Sequence, residues 1–140
     1  MHDIFDIACN FTSERFDGDL EEIINRAIKN NVTKFGLICS RVKDFPRLIN
    51  IYNNFSDSMR FTIGVHPHHA NEFNNEYLLQ LQNLIKDNPP HAIGETGLDF
   101  FRNLSSYDEQ IYAFEEQIKL AITYNKPLFL HQRDSHEDFI

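Results

Sequence analysis

The sequence predicts an α/β fold in which helices cover a parallel sheet, and three observations lead to that class. Five short apolar runs alternate with amphipathic stripes along the 140 residues, which is the pattern of repeated βα units. Polar side chains that can do chemistry follow several of these runs, as they do at the carboxyl ends of barrel strands. The glycine motif of a dinucleotide-binding fold, G-x-G-x-x-G, is absent after the first run. We therefore favour a truncated TIM (β/α)8 barrel, with about five parallel strands and four complete helices, over a doubly wound sheet.

The first half of the chain contains two predicted strand–helix units. Residues 4–9 form a mostly apolar run, short enough for a buried strand, and residues 20–28 place apolar side chains at helical spacing. The order repeats with an apolar run at 35–39 and a helical stripe over 45–52.

The second half continues the same alternation. A third apolar run covers 61–65, and the helical stripe over 78–85 ends before Pro89 and Pro90, which cannot continue a helix. The fourth run, at 92–94, meets the carboxylate of Glu95. An acid at the end of a buried strand requires a partner, because burying an unpaired carboxylate is unfavourable.

The next helix has the strongest start signal in the chain. Ser106 and Glu109 have the S-x-x-E spacing of a capping box. The apolar stripe that follows consists of Ile111, Phe114, Ile118, Ala121 and Ile122. Residues 127–131 then predict a fifth strand, with proline at its first position.

Composition limits the classes of function. The net charge of -8, from 21 acidic and 13 basic residues, argues against a broad cationic surface for duplex nucleic acid. An enzyme that holds phosphates through metal ions remains compatible with this charge. Cys9 and Cys39 lack zinc-ligand spacing and indicate buried thiols in a reducing compartment. Without a membrane span or signal peptide, we expect one cytoplasmic domain over residues 1–140 and no membrane partner.

The chemically capable side chains are predicted to converge on one face of the barrel. They are Asn10 and Thr12 after the first strand, His66 and His68 after the third, Glu95 and Asp99 after the fourth, and His131 and Arg133 after the fifth. Glu95 and His131 would lie on adjacent strands, where a carboxylate and an imidazole can share a divalent cation.

Simpler interpretations remain open for each of these residues. Glu95 could cap a helix or pair with an arginine, and His131 could be a neutral histidine bonded to the backbone. Residues 66–69 could form a polar turn fixed by Pro67. We favour the turn for His69 and the site for His66, and both interpretations stay open for His68. Arg133 could pair with Asp134 rather than orient a phosphate.

Four ordered motifs resemble the TatD-type metal-dependent deoxyribonucleases. They occupy residues 6–13, 64–68, 92–100 and 130–134. The resemblance implies a TIM-barrel hydrolase of the amidohydrolase-like superfamily that cleaves phosphodiester bonds in DNA. The implied substrate is single-stranded DNA or a 3′ end, cleaved in the 3′-to-5′ direction. The implied cofactor is a divalent metal, and we expect Mg²⁺.

The resemblance also implies roles for individual residues. Glu95 and His131 match metal ligands of the family, and His66 matches a catalytic histidine near the scissile phosphate. Many relatives carry His-x-His where this chain has Asn10 and Thr12. The TatD-proper subgroup resembles this chain in having Asn-x-Thr at these positions. We assign Asn10, Thr12, His68, Asp99 and Arg133 to substrate binding.

Length is the main departure from the family. Further family ligands, a histidine after strand six and an aspartate after strand eight, would lie beyond Ile140. We therefore expect an N-terminal portion with an incomplete site, whose exposed sheet edges promote self-association. Two alternatives stay open: another hydrolase of the superfamily, and a non-catalytic half-barrel that pairs with itself or with a complementary fragment.

Overall fold

The computed structural model describes residues 2–140 as a five-stranded, all-parallel sheet with the strand order β1-β2-β3-β4-β5. The strands are β1 (Ile4–Cys9), β2 (Val32–Leu37), β3 (Met59–Ile63), β4 (Ala92–Asp99) and β5 (Leu128–Arg133). The helices are α1 (Leu20–Lys29), α2 (Phe45–Asn54), α3 (Asn75–Asp87), α4 (Tyr107–Thr123) and the short α5 (His136–Phe139). The predicted five parallel strands with four full helices are confirmed.

The core lies between the sheet and the helices. The register places Phe35 of β2 opposite Met59 of β3, and Ile63 of β3 opposite Ile93 of β4. All four of these side chains are buried in one apolar cluster, which also takes in Ile24 from α1. Burial of such aliphatic and aromatic side chains is the main source of stability, at roughly 1.5–3 kcal/mol for each.

The two outer strands of the sheet carry exposed apolar side chains. Ile4, Phe5 and Ile7 of β1 are about half exposed, and so is Leu130 of β5. Within residues 2–140, no helix has the length and apolar character needed to cross a membrane.

Strands β4 and β5 extend further than the sequence predicts, and this changes where the site residues lie. β4 continues from the predicted 92–94 to Asp99, so Glu95 lies inside the strand and not beyond its end. β5 likewise continues through His131 to Arg133. The prediction that these residues all follow their strands is therefore wrong. These polar residues do not interrupt the sheet, because β4 and β5 stay paired as far as Asp99 and Arg133.

Helix α4 buries a different face from the predicted stripe. The capping box of Ser106 and Glu109 is confirmed, with each side chain bonded to the other's backbone N–H. Phe114 is buried as predicted, but Ile122 is 75% exposed. The buried face consists of Gln110, Ala113, Phe114, Gln117, Leu120 and Ala121. The stripe is displaced because two glutamines, and not isoleucines, bond to the backbone of Val65 just after β3 and of Asp99 at the end of β4.

Candidate active site

The candidate site lies at the carboxyl ends of β3, β4 and β5. His66 and His68 follow β3, Glu95 and Asp99 belong to β4, and His131 belongs to β5. Their side chains meet through contacts of 2.7 to 3.8 Å, although the residues are far apart in sequence. The predicted convergence therefore includes these five side chains.

Three imidazoles form the centre of the cluster. His66, His68 and His131 each offer a ring nitrogen, and these nitrogens all lie within 4.8 Å of one another. Nε2 of His66 lies 3.3 Å from Nδ1 of His131. Imidazole nitrogens are common ligands for first-row transition metals, so this group can hold a cation.

Glu95 reaches the imidazoles because β4 carries an irregularity at this residue. Gly94 lies opposite Phe129 and Thr96 opposite Leu130, so Glu95 has no partner on β5. A β-bulge of this kind re-aims a side chain and is frequent beside active sites. Oε1 of Glu95 lies 3.2 Å from Nδ1 of His131 and 3.8 Å from Nε2 of His66.

Two glycines of β4 permit the close approach of β5. Gly94 and Gly97 have φ values of 130° and 143°, which side chains rarely adopt. A Cβ at Gly97 would collide with the carbonyl oxygen of His131, and one at Gly94 with that of Phe129. The backbone of β4 thereby holds His131 against Glu95.

Asp99 sets the protonation of two of the imidazoles. Its side chain is fully buried, and Oδ2 accepts hydrogen bonds from Nε2 of His68 at 2.7 Å and from Nε2 of His131 at 3.0 Å. Oδ1 accepts from the backbone N–H of Arg102 at 2.8 Å. Burial by itself would raise the pKa of Asp99, but these three donors hold the pKa well below its usual range. An ionised Asp99 only accepts, so both Nε2 atoms carry protons.

His66 is held in its neutral form. Burial, followed by the neighbouring imidazoles of His131 and His68, lowers the pKa of His66 to about 3. Its Nδ1 accepts the backbone N–H of His68 at 3.1 Å, so the ring proton is on Nε2 and points to His131.

This proton arrangement fits a cation. When His131 is neutral, the proton on Nε2 leaves a lone pair on Nδ1, which lies 3.2 Å from an oxygen of Glu95 and 3.3 Å from Nε2 of His66. The proton of His66 is the donor that these two acceptors share, so a positive charge beside them is favourable. Carboxylate and imidazole donors together suit a divalent ion, so the residues present fit the metal that the sequence predicts.

Two buried glutamines hold the backbone under the site. Gln117 accepts the N–H of Val65 at 2.7 Å and donates to its carbonyl at 3.1 Å, next to His66. Gln110 accepts the N–H of Asp99 at 2.8 Å and donates to the carbonyls of Asp99 and Ser105. Sequence reasoning missed both residues. Their seven-residue spacing on one face of an apolar helix is the signal that could have found them.

Asn10 and Thr12 lie on the wall of the same cleft. The cleft has a volume of about 650 Å³, and its lining includes these two residues together with His66, His68 and Glu95. The hydroxyl of Thr12 donates to the side-chain oxygen of Asn10 at 3.1 Å. Both residues can therefore offer polar groups to a ligand beside the imidazoles.

Arg133 lies outside this cleft lining. It ends β5, is exposed, and places its guanidinium carbon 3.9 Å from the ring centre of Phe101. Phe101 is itself 60% exposed. The alternative of an ion pair with Asp134 has no support among the described residues 2–140, where Arg133 forms no salt bridge. Its predicted contact with substrate stays a prediction.

Comparisons with known sequences give a consistent picture. A family model described as TatD related DNase matches residues 5–140. A relative from Pantoea ananatis named 3'-5' ssDNA/RNA exonuclease TatD is 40% identical over 136 residues, which are 97% of this chain and 52% of that protein. A relative of the same name from Erwinia tasmaniensis is 38% identical over 137 residues, which are 98% of this chain and 53% of that protein. The chain thus spans about half the length of the curated relatives it matches.

Solved structures give the same result. The crystal structure of YJJV, a TatD homologue from Escherichia coli, matches with a TM-score of 0.89 and 30% identity over 97% of this chain and 53% of that chain. A TatD family hydrolase from Entamoeba histolytica matches with a TM-score of 0.90 and 29% identity, covering 99% and 52%. An uncharacterized amidohydrolase from Saccharomyces cerevisiae matches with a TM-score of 0.88 and 27% identity, over 99% of this chain and 50% of that chain.

Proposed function

Since the chain belongs to the TatD-related DNase family, which confirms the resemblance of its four motifs, we propose that the whole protein is a metal-dependent hydrolase of DNA phosphodiester bonds. We further propose that it removes nucleotides from 3′ ends of single strands. The observation that carries the proposal is the meeting of three imidazoles and Glu95 at one open cleft. The names of the relatives from Pantoea and Erwinia support the direction of cleavage.

The proposed metal ligands are Glu95 and His131. When bound, a divalent ion polarises the phosphate and lowers the pKa of a water molecule for in-line attack. Asp99 contributes by keeping a proton on Nε2 of His131, which presents the Nδ1 lone pair to the ion. This orienting role is supported by the complete burial of Asp99. Asp99 also keeps its predicted assignment to substrate binding, since it holds His68 at the cleft.

The proposed role of His66 is catalytic contact with the scissile phosphate. Its pKa of about 3 keeps the imidazole neutral at neutral pH, so Nε2–H donates a hydrogen bond without carrying a charge. We propose that Asn10, Thr12 and His68 position the strand in the cleft, because all three line it. Arg133 is proposed to contact the strand from the neighbouring rim, where Phe101 supports its guanidinium.

We propose Mg²⁺ as the ion. The carboxylate of Glu95 and the oxygens of a bound phosphate are the hard ligands that Mg²⁺ prefers. Mn²⁺ and Zn²⁺ are the rivals, because imidazoles make up much of the donor set. Titration of each ion into the apo chain, followed by an activity measurement with each, identifies the ion that supports cleavage.

A nuclease assay tests the proposed function. Single-stranded DNA with a free 3′ end is incubated with the chain and Mg²⁺, and released nucleotides are separated by chromatography. Glu95→Ala and chelation should each abolish release, whereas Glu76→Ala, which removes an exposed carboxylate of α3, should leave it unchanged. Release that survives both Glu95→Ala and chelation would exclude the metal assignment.

The same assay separates two hydrolase classes. RNA is included because the name of the relatives contains both DNA and RNA. Amide and ester substrates are included because one structural neighbour is described as an amidohydrolase. Metal-dependent cleavage of esters or amides without nucleotide release would support another hydrolase of the superfamily.

A non-catalytic half-barrel that associates with itself is our second proposal. It is supported by the exposed Ile4, Phe5 and Ile7 on β1 and Leu130 on β5. Size-exclusion chromatography over a range of concentrations tests it, and a monomer at every concentration would contradict it. A single substitution, Ile7→Lys, should shift any oligomer toward monomer.

We also propose a reducing, cytoplasmic location. Cys9 and Cys39 are free and buried, which supports a compartment where thiols stay reduced. Fractionation of the cells that express the protein tests this location.

A further inference from the structure

Two arginines lie on the cleft wall, and neither belongs to the imidazole cluster. Arg15 is part of the 3-10 turn Glu14–Phe16 after β1, and Arg41 directly precedes the 3-10 turn Val42–Asp44 after β2. Both line the same cleft as His66. The wall next to the candidate metal centre therefore carries two cationic groups, together with the carboxylates of Glu14 and Asp44.

The backbone fixes Arg41 relative to the site. The N–H of His66 donates to the carbonyl of Ser40 at 3.0 Å, one residue before Arg41. The thiol of Cys39 donates to the carbonyl of Arg41 at 3.2 Å. Any ligand group that contacts His66 therefore lies a set distance from the start of the Arg41 side chain.

The guanidinium of Arg41 is partly engaged. Its Nε donates to Oδ2 of Asp44 at 3.3 Å, and its side chain is 27% exposed. Within residues 2–140, its two terminal amino groups make no hydrogen bond, so they remain available to a ligand. Burial, and then the charge of Arg41, lowers the pKa of His69 beside it.

Arg15 is anchored through its own segment. Arg47 of α2 donates to the carbonyl of Ser13 at 3.3 Å and forms an ion pair with Asp17 on the other side of the turn. The guanidinium of Arg15 is exposed and has no partner among the residues that the structure describes. The backbone at both arginines is therefore held in place, and each guanidinium has N–H donors available to a ligand.

Arginine presents a planar fork of donors that suits phosphate oxygens. The cleft has more room than one phosphate at the imidazoles would fill, because at about 650 Å³ it is as large as a typical ligand pocket. We infer that Arg41, assisted by Arg15, binds the phosphate on the 5′ side of the scissile linkage. This inference rests on the proposed function, and it assigns the substrate class as oligonucleotides of at least three nucleotides.

Calorimetric binding of short thymidine oligomers tests the second phosphate site. The full chain is titrated in Ca²⁺ with a dimer, which has one phosphate, and with a trimer, which has two; chromatography checks that neither is cleaved. We expect the trimer to bind roughly tenfold more tightly than the dimer. Arg41→Ala should remove this advantage and leave dimer binding nearly unchanged. A trimer with a neutral methylphosphonate at its 5′ linkage should bind the unmodified chain as the dimer does.

Salt dependence gives an independent readout. The slope of log affinity against log salt should fall in magnitude by about 0.7 for the trimer on Arg41→Ala, because one phosphate contact is lost from a single strand. Combining Arg41→Ala with the methylphosphonate should add no further loss, since both remove the same contact.

Two variants serve as controls. Lys43→Ala removes an exposed cation from the same turn, outside the cleft lining, and should leave the trimer advantage intact. Asp44→Ala removes the partner of Arg41 but leaves its charge. If Arg41 acted only through that ion pair, Asp44→Ala would reproduce the effect of Arg41→Ala, and the inference would be overturned.

The remaining outcomes are also decisive. Equal weakening of dimer and trimer by Arg41→Ala, or equal effects of Lys43→Ala and Arg41→Ala, would overturn the second phosphate site while the proposed function stands. Failure of the unmodified chain to bind either oligomer would overturn this inference, whereas the proposed function of the whole protein is tested separately by nucleotide release. If the trimer still binds more tightly than the dimer in both Arg41→Ala and Arg15→Ala, the inference would be overturned and the proposed function would stand.

Discussion

Replacement of Gln110 by leucine should destabilise the chain strongly although it conserves side-chain volume. Gln110 is 1% exposed, and three buried backbone groups bond to its amide at 2.8, 3.2 and 2.9 Å. Two of these groups belong to Asp99 and one to Ser105, and both residues are buried. Leucine would leave all three groups without a side-chain partner.

The magnitude follows from the number of groups left unpaired. An unsatisfied buried donor or acceptor costs about 1–3 kcal/mol, and carbonyls lie at the lower end because they have a second lone pair. One N–H and two carbonyls therefore sum to about 3–5 kcal/mol. Because small domains have roughly 5–15 kcal/mol of stability, this is a large fraction of the total.

Urea unfolding of wild type and Gln110→Leu measures the loss. The matched control is Gln80→Leu on the exposed surface of α3, which should change the free energy of unfolding by less than about 0.5 kcal/mol. Nitrogen chemical shifts of His131 provide a second readout, because displaced Asp99 would no longer hold the proton on Nε2. A change below about 1 kcal/mol in Gln110→Leu would refute the reasoning that this glutamine secures the site.

Four further predictions concern the strand register, the site and the thiols. Gly97→Ala should lower the melting temperature and weaken metal binding, because the new Cβ would collide with the carbonyl of His131 and φ is 143°; an unchanged melting curve would contradict this. Asp99→Asn should weaken metal binding by about 10- to 100-fold in a calorimetric titration, because the orienting carboxylate is lost; unchanged affinity would remove its proposed role. Burial raises the pKa of Cys9 and Cys39 to about 12, so neither should react with iodoacetamide at pH 8 until urea unfolds the chain. Because both pKa values are raised on folding, the thiols' contribution to stability is complete below pH 9 and should be lost as pH rises toward 12.

The sequence was sufficient to predict the alternation of strands and helices, because each element has a clear hydrophobic period or start signal. The bounds of β1 and the capping box at Ser106 agree with the structure. The closeness of Glu95 and His131 also follows from topology, because parallel neighbouring strands present their carboxyl ends together.

Other features of the site depend on long-range geometry that no local pattern encodes. The irregularity of β4 at Glu95 arises from pairing with β5, and the apolar run at 92–94 does not predict it. Gln110 and Gln117 are polar, yet they are buried because the backbone of Asp99 and of Val65 supplies their hydrogen-bond partners. Arg41 was overlooked because its distance from His66 is set by a single backbone hydrogen bond between two loops.

Pulsed electron paramagnetic resonance of the chain loaded with Mn²⁺ tests the central claim most directly. If a divalent cation binds among the imidazoles and Glu95, the spectrum should contain nitrogen couplings from coordinated histidine, and His131→Ala should reduce or abolish them. His136→Ala, which removes an exposed histidine of α5, should leave the couplings unchanged. Mn²⁺ that binds without nitrogen couplings, or couplings that persist in full in His131→Ala, would contradict the account.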